Sequence, residues 1–167
     1  MKNIFLTLCF LVTLLIAANA QSDWVTYKID DKLSVNVPST PTQGDEYSVI
    51  ATGADSLLCA IAKIDMKKVS GVDSAALAEL APTDYFKSIV KQGMQEKMKD
   101  YTFGDVKTGK WNNYFCYHIE AVNATRKVKS FFFMIIIGDC LYSISAVVHD
   151  GKSTQPKDQF FASLKLN

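Results

Sequence analysis

The sequence is poor in the residues and motifs that mark catalytic and cofactor sites. It has only two histidines. It also lacks the glycine-rich phosphate loops, the HExxH and CxxC motifs, the GxSxG nucleophile motif and the EF-hand calcium loop. These absences exclude the commonest sequence signatures of nucleotide-binding, metalloprotease, hydrolase and calcium-binding proteins. We therefore assign no catalytic residue and expect no cofactor.

The chain also lacks an excess of charge of either sign. Lysine and arginine number 18 and aspartate and glutamate 17, so the formal net charge is +1. A nucleic-acid-binding surface normally carries a clear basic excess. An electrostatic membrane anchor needs clustered lysines and arginines. We expect neither a nucleic-acid partner nor a polybasic membrane anchor.

What the sequence does have is an apolar segment at its beginning. Lys2 precedes an almost unbroken apolar run from Ile4 to Ile16, and the small residues of Ala18-Asn19-Ala20 follow it. This pattern is typical of a secretory signal peptide. It predicts a signal peptide over residues 1–20, cleaved between Ala20 and Gln21.

The mature chain is then expected to be one domain, residues 21–167, in the periplasm or outside the cell. A lipid anchor on Cys9 is not expected, because Leu8 stands where a small residue is required and apolar sequence continues beyond the cysteine. No later apolar stretch approaches the roughly 20 residues of a membrane-spanning helix. We expect no stable membrane anchor after cleavage.

Three cysteines remain once Cys9 is removed with the signal peptide: Cys59, Cys116 and Cys140. An odd number permits at most one internal disulfide. All three lie within or beside apolar runs, where cysteine often serves as a small buried side chain. Two alternatives stay open, namely three buried thiols, or one disulfide with one free thiol.

Apolar periodicity predicts strands, then helices, then strands again. The predicted strands are residues 24–29, 33–37, 47–52, 57–64, 102–107, 114–122, 127–137 and 140–148. The predicted helices are residues 75–80 with Asp73 as N-cap, residues 83–99, and a short C-terminal helix with Pro156 in its first turn. This order predicts an α/β domain of the α+β type, a mostly antiparallel sheet flanked by helices.

The clearest local signal is a hairpin centred on Gly138-Asp139. Strongly apolar arms flank this two-residue turn, which places Ile135 opposite Tyr142 and Phe133 opposite Ile144. The run Phe131–Ile137 would aggregate if exposed. We expect it to lie in the middle of the sheet, covered on both faces.

One constellation of chemically active side chains falls on the predicted strand 114–122. Because successive residues of a strand point to opposite faces, Cys116, His118 and Glu120 share one face at intervals of about 7 Å. Such a set is a weak candidate for a zinc site or for a thiol activated by histidine. The simpler interpretation is a half-buried face with a packed cysteine, a hydrogen-bonded histidine and a carboxylate at its rim.

Several short motifs resemble those of PsbP-like proteins, especially the small exported bacterial ones. The similar segments are Trp24-x-x-Tyr27 with Leu33–Pro38 at the opening, Phe131–Met134 with Gly138–Ile144 in the second hairpin, and Phe160–Leu166 at the close. They span nearly the whole mature chain in order. The resemblance implies a PsbP-like α/β/α sandwich around an antiparallel sheet.

That group includes an extrinsic subunit of the photosynthetic oxygen-evolving complex, a nuclear-import factor that binds a small GTPase, and bacterial envelope proteins. The resemblance therefore implies a non-catalytic binding or assembly module of the cell envelope, with a protein or another envelope component as partner. Two alternatives remain. One is a metal- or thiol-dependent enzyme that uses Cys116, His118 and Glu120, and the other is a carrier of a small apolar ligand held between sheet and helix.

The predicted signal peptide can be tested by the mass of the exported protein. Expressed with its leader in a bacterial host, the chain should be recovered outside the cytoplasm with an intact mass that begins at Gln21. Ala20→Tyr puts a bulky residue where signal peptidase needs a small one, so the precursor should accumulate. Asn19→Ser is the matched control and should be processed normally. A wild-type mass that retains residues 1–20 would contradict the prediction.

Overall fold

The computed structural model describes residues 24–167, so the predicted signal peptide and its cleavage site at Ala20 and Gln21 lie outside the described residues. The strands are β1 (Val25–Lys28), β2 (Leu33–Val37), β3 (Thr42–Gln43), β4 (Ser48–Thr52), β5 (Leu58–Asp65), β6 (Thr102–Phe103), β7 (Lys107–Trp111), β8 (Tyr114–Asn123), β9 (Val128–Ile137), β10 (Cys140–His149) and β11 (Lys165–Leu166). The helices are α1 (Met66–Ser70), α2 (Ser74–Leu80), α3 (Asp84–Lys97) and α4 (Gln155–Ala162), with a short 3-10 turn at Ala54–Ser56.

The strands form a large sheet and a small one, and every pairing is antiparallel. The main sheet has the order β3-β4-β5-β10-β9-β8-β6, with β7 also paired to β8. The small sheet has the order β1-β2-β11. The predicted α+β fold with a mostly antiparallel sheet is confirmed.

The predicted central hairpin is confirmed in position and register. Ile135 pairs with Tyr142 and Phe133 with Ile144, and Gly138 in the turn has φ 62°, a left-handed conformation that glycine adopts without strain. β9 lies between β8 and β10. Residues 133–137 are buried, but Phe131 and Phe132 are only half-buried. The expectation of complete cover over Phe131–Ile137 is therefore wrong for these two residues.

Helices α2 and α3 cover one face of the main sheet. Leu77 of α2 and Phe86 of α3 pack with Tyr117, Ile119 and Met134 from the strands in one apolar core. Both predicted helices are present. Asp73 caps α2 as predicted, whereas Thr83, predicted as the first residue of its helix, is the N-cap of α3. The Asp73 side chain accepts a hydrogen bond from the backbone N–H of Ala76, and Thr83 Oγ1 accepts one from the backbone N–H of Phe86.

The small sheet and α4 cover the other face. Leu33, Val35 and Val37 of β2 are fully buried and pack with Phe160 of α4 against the main-sheet strands. This outer layer thus combines the predicted C-terminal helix with a small sheet. Its third strand, β11, was not expected from the sequence, because a two-residue strand carries no periodicity.

Cys59, Cys116 and Cys140 are free, buried thiols, which corresponds to the first of the two alternatives stated above. Burial raises the pKa of Cys59 to about 12. Within residues 24–167, none of the helices combines the length and apolar character needed to cross a membrane.

Asp30 joins the small sheet to the main sheet. It lies in the turn between β1 and β2, where its Oδ1 accepts hydrogen bonds from the backbone N–H groups of Lys32 at 2.8 Å and Leu33 at 3.1 Å. Its Oδ2 accepts a hydrogen bond from Tyr142 Oη on β10 at 2.6 Å and lies 2.6 Å from Lys63 Nζ on β5. One carboxylate therefore fixes the turn and attaches it to two central strands; we call this network the Asp30 clamp.

The Asp30 clamp makes folding sensitive to acid. Burial by itself raises the pKa of Asp30, but hydrogen bonds from Lys63, Tyr142 and the backbone outweigh it and hold the pKa well below its usual range. The folded pKa thus lies below the unfolded value of about 4. The clamp stabilises the fold fully above that value, and its contribution is lost as the pH falls through the folded pKa.

Substitution of Asp30 should destabilise the protein in a pH-dependent way. Asp30→Asn removes the charge that Lys63 and Tyr142 bind, so the free energy of unfolding at pH 7 should fall by about 2–3 kcal/mol. In urea unfolding, the difference from wild type should shrink as the pH is lowered through the acid range. Asp31→Asn is the matched control, because the Asp31 side chain is 96% exposed and binds only Lys28 at the surface. Equal effects of the two substitutions would contradict the clamp.

Candidate functional site

A groove lies between α4 and the part of the main sheet formed by β7, β8 and β9. Its volume is about 340 Å³, at the lower end of the range for small-molecule sites. The side chains that define it are Trp111, His118, Glu120, Phe131, Phe133, Lys157 and Phe161. We call this feature the aromatic groove.

Phe133 forms the centre of the groove floor. Its ring centroid lies 4.5 Å from that of His118, 6.4 Å from that of Trp111 and 6.5 Å from that of Phe161. Trp111 and Phe161 meet it nearly edge-on, an arrangement that aromatic pairs favour. Sheet register makes His118 the direct neighbour of Phe133, while α4 supplies Phe161 from above. Three separate parts of the chain thus converge on one ring.

Lys157 brings a largely buried positive charge to the groove. Its side chain is 15% exposed, and its ammonium group lies over the Phe131 ring, 4.5 Å from the centroid. It forms a salt bridge with Asp158, whose own side chain is 62% exposed. The cation is therefore inside the groove and its counter-ion is mostly in water.

A bulge at the sheet edge positions a second lysine. Thr102 pairs with Val122 and Phe103 with Ala121, yet Lys107 pairs with His118. Residues 104–106 thus lie opposite residues 119–120, three against two, which is a β-bulge. The extra residue reverses which side chains face the groove and puts Lys107 beside His118. The predicted single strand 102–107 is wrong, because this bulge divides it into β6 and β7.

The bulge also opens a second cavity next to the first. It has a volume of about 240 Å³ and is lined by Gly104, Asp105, Lys107, His118 and Glu120. His118 and Glu120 line both spaces. The aromatic groove therefore continues past the imidazole to the edge of the sheet, where its lining becomes polar.

His118 and Cys116 are held in their neutral forms. Partial burial of the imidazole lowers the pKa of His118, and the neighbouring Lys107 charge lowers it further, so the imidazole is neutral at pH 7. Burial raises the pKa of Cys116, which keeps its thiol protonated. Both pKa shifts thus disfavour a thiolate–imidazolium pair between Cys116 and His118.

The structure brings the three predicted site residues to one face but not to one site. Cys116 is 1% exposed and packs in the core, with Sγ 3.9 Å from His118 Nε2. His118 and Glu120 are exposed and line the groove. Among residues 24–167, no three histidine, cysteine, aspartate or glutamate side chains are grouped so that they could hold a metal ion. The arrangement suits binding better than nucleophilic chemistry.

The sequence analysis did not identify Trp111, Lys157 and Phe161 of the groove, or Lys107 of the adjoining cavity, as site residues. For Trp111 a usable signal existed. Asn112 and Asn113 both adopt positive φ, 47° and 70°, and connect β7 to β8 in a two-residue turn. Asn residues are favoured in such hairpin turns, so this pair predicts a strand ending at Trp111. No local signal in the chain places Lys157 or Phe161 over β9, because that contact depends on tertiary packing.

Comparisons with known proteins show the fold and nothing finer. No protein-family profile matches the sequence, and no curated protein matches it. The solved cyanobacterial PsbP (CyanoP) of Synechocystis is similar with a TM-score of 0.56 and 11% identity over 87% of this chain and 94% of that one. At that identity the likeness shows a PsbP-like fold alone.

Two further solved structures are more distant. A Bacteroides thetaiotaomicron protein has a TM-score of 0.48 and 14% identity over 81% of this chain. This chain spans 45% of that protein's length. A Pseudomonas aeruginosa protein of unknown function has a TM-score of 0.40 and 7% identity over 76% of this chain and 83% of that one.

The electrostatic environment of His118 can be measured directly. Lys107→Gln removes the positive neighbour, so the pKa of His118 should rise toward its usual value. A histidine-selective NMR titration reports it. Lys110→Gln is the matched control, since Lys110 pairs with Phe115 and points to the opposite face of the same strand. If both variants move the His118 titration equally, the assigned contact with Lys107 is wrong.

Proposed function

We propose that this protein is an exported, non-catalytic binding module of the cell envelope and that the aromatic groove is its binding site. The observation that carries the proposal is the groove itself, an open space of about 340 Å³ with an apolar floor and polar groups at its rim. Small-molecule and peptide sites commonly combine these two properties. The proposed location, periplasmic or extracellular, is inferred from the predicted signal peptide.

The protonation states of the groove favour binding over catalysis. A catalytic cysteine needs a lowered pKa, and a histidine that activates it must accept the thiol proton. Here burial raises the pKa of Cys116, and both burial and Lys107 lower that of His118. The enzyme alternative based on Cys116, His118 and Glu120 therefore has no support from the arrangement of these groups.

The third alternative, a carrier of a small ligand, is a particular form of this proposal. The groove lies between the sheet and α4, where such a ligand was expected, and its volume suits a small molecule. A protein partner would instead insert one or two side chains into the same space. Both versions require the exposed edges of Trp111 and Phe161.

The proposal can be tested with groove variants in the native envelope. The tagged chain is exported, recovered under non-denaturing conditions from its own envelope fraction and analysed by native mass spectrometry for any added mass. Trp111→Ala and Phe161→Ala should each reduce the bound fraction at least about tenfold, because an aromatic anchor typically contributes more than 1.4 kcal/mol. Melting temperatures identify any variant that fails to fold.

Tyr85→Ala is the control for an exposed aromatic outside the groove, since Tyr85 is 68% exposed on α3 at the opposite face of the sheet. It should leave the bound fraction unchanged. Two outcomes would overturn the proposal: a wild-type protein that retains no added mass, or a bound mass that persists in folded Trp111→Ala and Phe161→Ala.

A further inference from the structure

We propose that the aromatic groove binds a small amphipathic carboxylate, with its apolar body on Phe131 and Phe133 and its carboxylate at the ammonium group of Lys157. This inference rests on the proposed function and specifies the ligand class. It requires no covalent step.

The apolar half of the ligand is indicated by the rings of the groove. Phe131 and Phe133 lie two residues apart on β9 and both line the groove beneath α4. Trp111 and Phe161 both meet the Phe133 ring nearly edge-on. A flat apolar body placed on this floor would contact these aromatic rings, and burial of its surface supplies the affinity.

The acidic half is indicated by the position of Lys157. Its ammonium group is enclosed by the groove, whereas the Asp158 carboxylate that pairs with it is 62% exposed to water. A salt bridge with a solvated partner compensates a desolvated charge poorly. A ligand carboxylate that enters the groove would approach Lys157 from the enclosed side and form a charge-assisted hydrogen bond.

His118 indicates that the far side of the groove is also positive. The charge that shifts its pKa is Lys107, although Glu120 lies two residues along the same face. The neutral imidazole retains one N–H donor that a carboxylate can accept. His118 and Lys157 thus present donors to the aromatic groove, and Lys107 lines the second cavity, which His118 joins to the groove.

Glu120 and Asp105 limit the charge that the groove accepts. Both line the space beside His118, Glu120 in the aromatic groove and Asp105 in the adjoining cavity. By Coulomb repulsion, these acids oppose a phosphate dianion more strongly than a carboxylate monoanion. The site therefore suits a monoanion with a large apolar part rather than a phosphorylated ligand.

The test compares two probes that share one ring system. Naphthoate carries the carboxylate, and naphthalenemethanol replaces it with an uncharged hydroxymethyl group. Isothermal titration of the mature chain should show naphthoate binding at least about tenfold tighter. Lys157→Met, which keeps the side-chain volume over Phe131, should abolish that preference. Glu120→Gln should strengthen naphthoate binding, and Lys110→Gln on the opposite face should change nothing.

NMR provides a second measurement that a general loss of stability would not affect. Because an anion stabilises the imidazolium form, the pKa of His118 should rise when naphthoate is bound and should not rise with naphthalenemethanol. Equal affinity for the two probes, or an unchanged preference in Lys157→Met, would overturn the carboxylate assignment while leaving the groove as a binding site. Failure of both probes to perturb groove resonances would overturn the assignment as well, and the envelope experiment above then decides separately on the proposed function.

Discussion

The antiparallel pairing of β9 with β10, with β8 on the other side of β9, determines the position of the core and of the groove. Phe133 pairs with Ile144 on one side and with His118 on the other. Ile144 is completely buried, whereas His118 is exposed. The three residues that are neighbours across β10, β9 and β8, namely Ile144, Phe133 and His118, therefore extend from the core to the binding surface. A shift of register by one residue would exchange the faces of the whole strand.

The groove lies on a part of the main sheet that the small sheet does not line. The Asp30 clamp attaches the small sheet to β5 and β10, whereas the groove is lined by β7, β8, β9 and α4. α4 contributes Phe161 and Lys157 to the groove wall. The attachment of the small sheet and the lining of the groove thus involve different strands of the main sheet.

Local patterns predicted what depends on neighbours in the sequence. The hairpin at Gly138, the cap Asp73 and the two faces of β8 are set by turn residues and periodicity, and the structure has them as expected. The groove is different, because Trp111, Phe133 and Phe161 are distant in sequence and meet only through tertiary packing. Cys116, His118 and Glu120 were placed correctly on one face, but periodicity alone could not show that the first is covered and the other two are open.

The bulge at residues 104–106 has a consequence for how such a site would arise or disappear. Because it adds one residue to the edge strand, it determines which face of the sheet each side chain from Lys107 to Trp111 occupies. Deletion of a single residue there would send Lys107 and Trp111 to the helix-covered face without altering any side chain of the groove floor. Change of function on this edge is thus expected through insertion or deletion of one codon, an event that comparisons restricted to amino-acid substitutions would overlook.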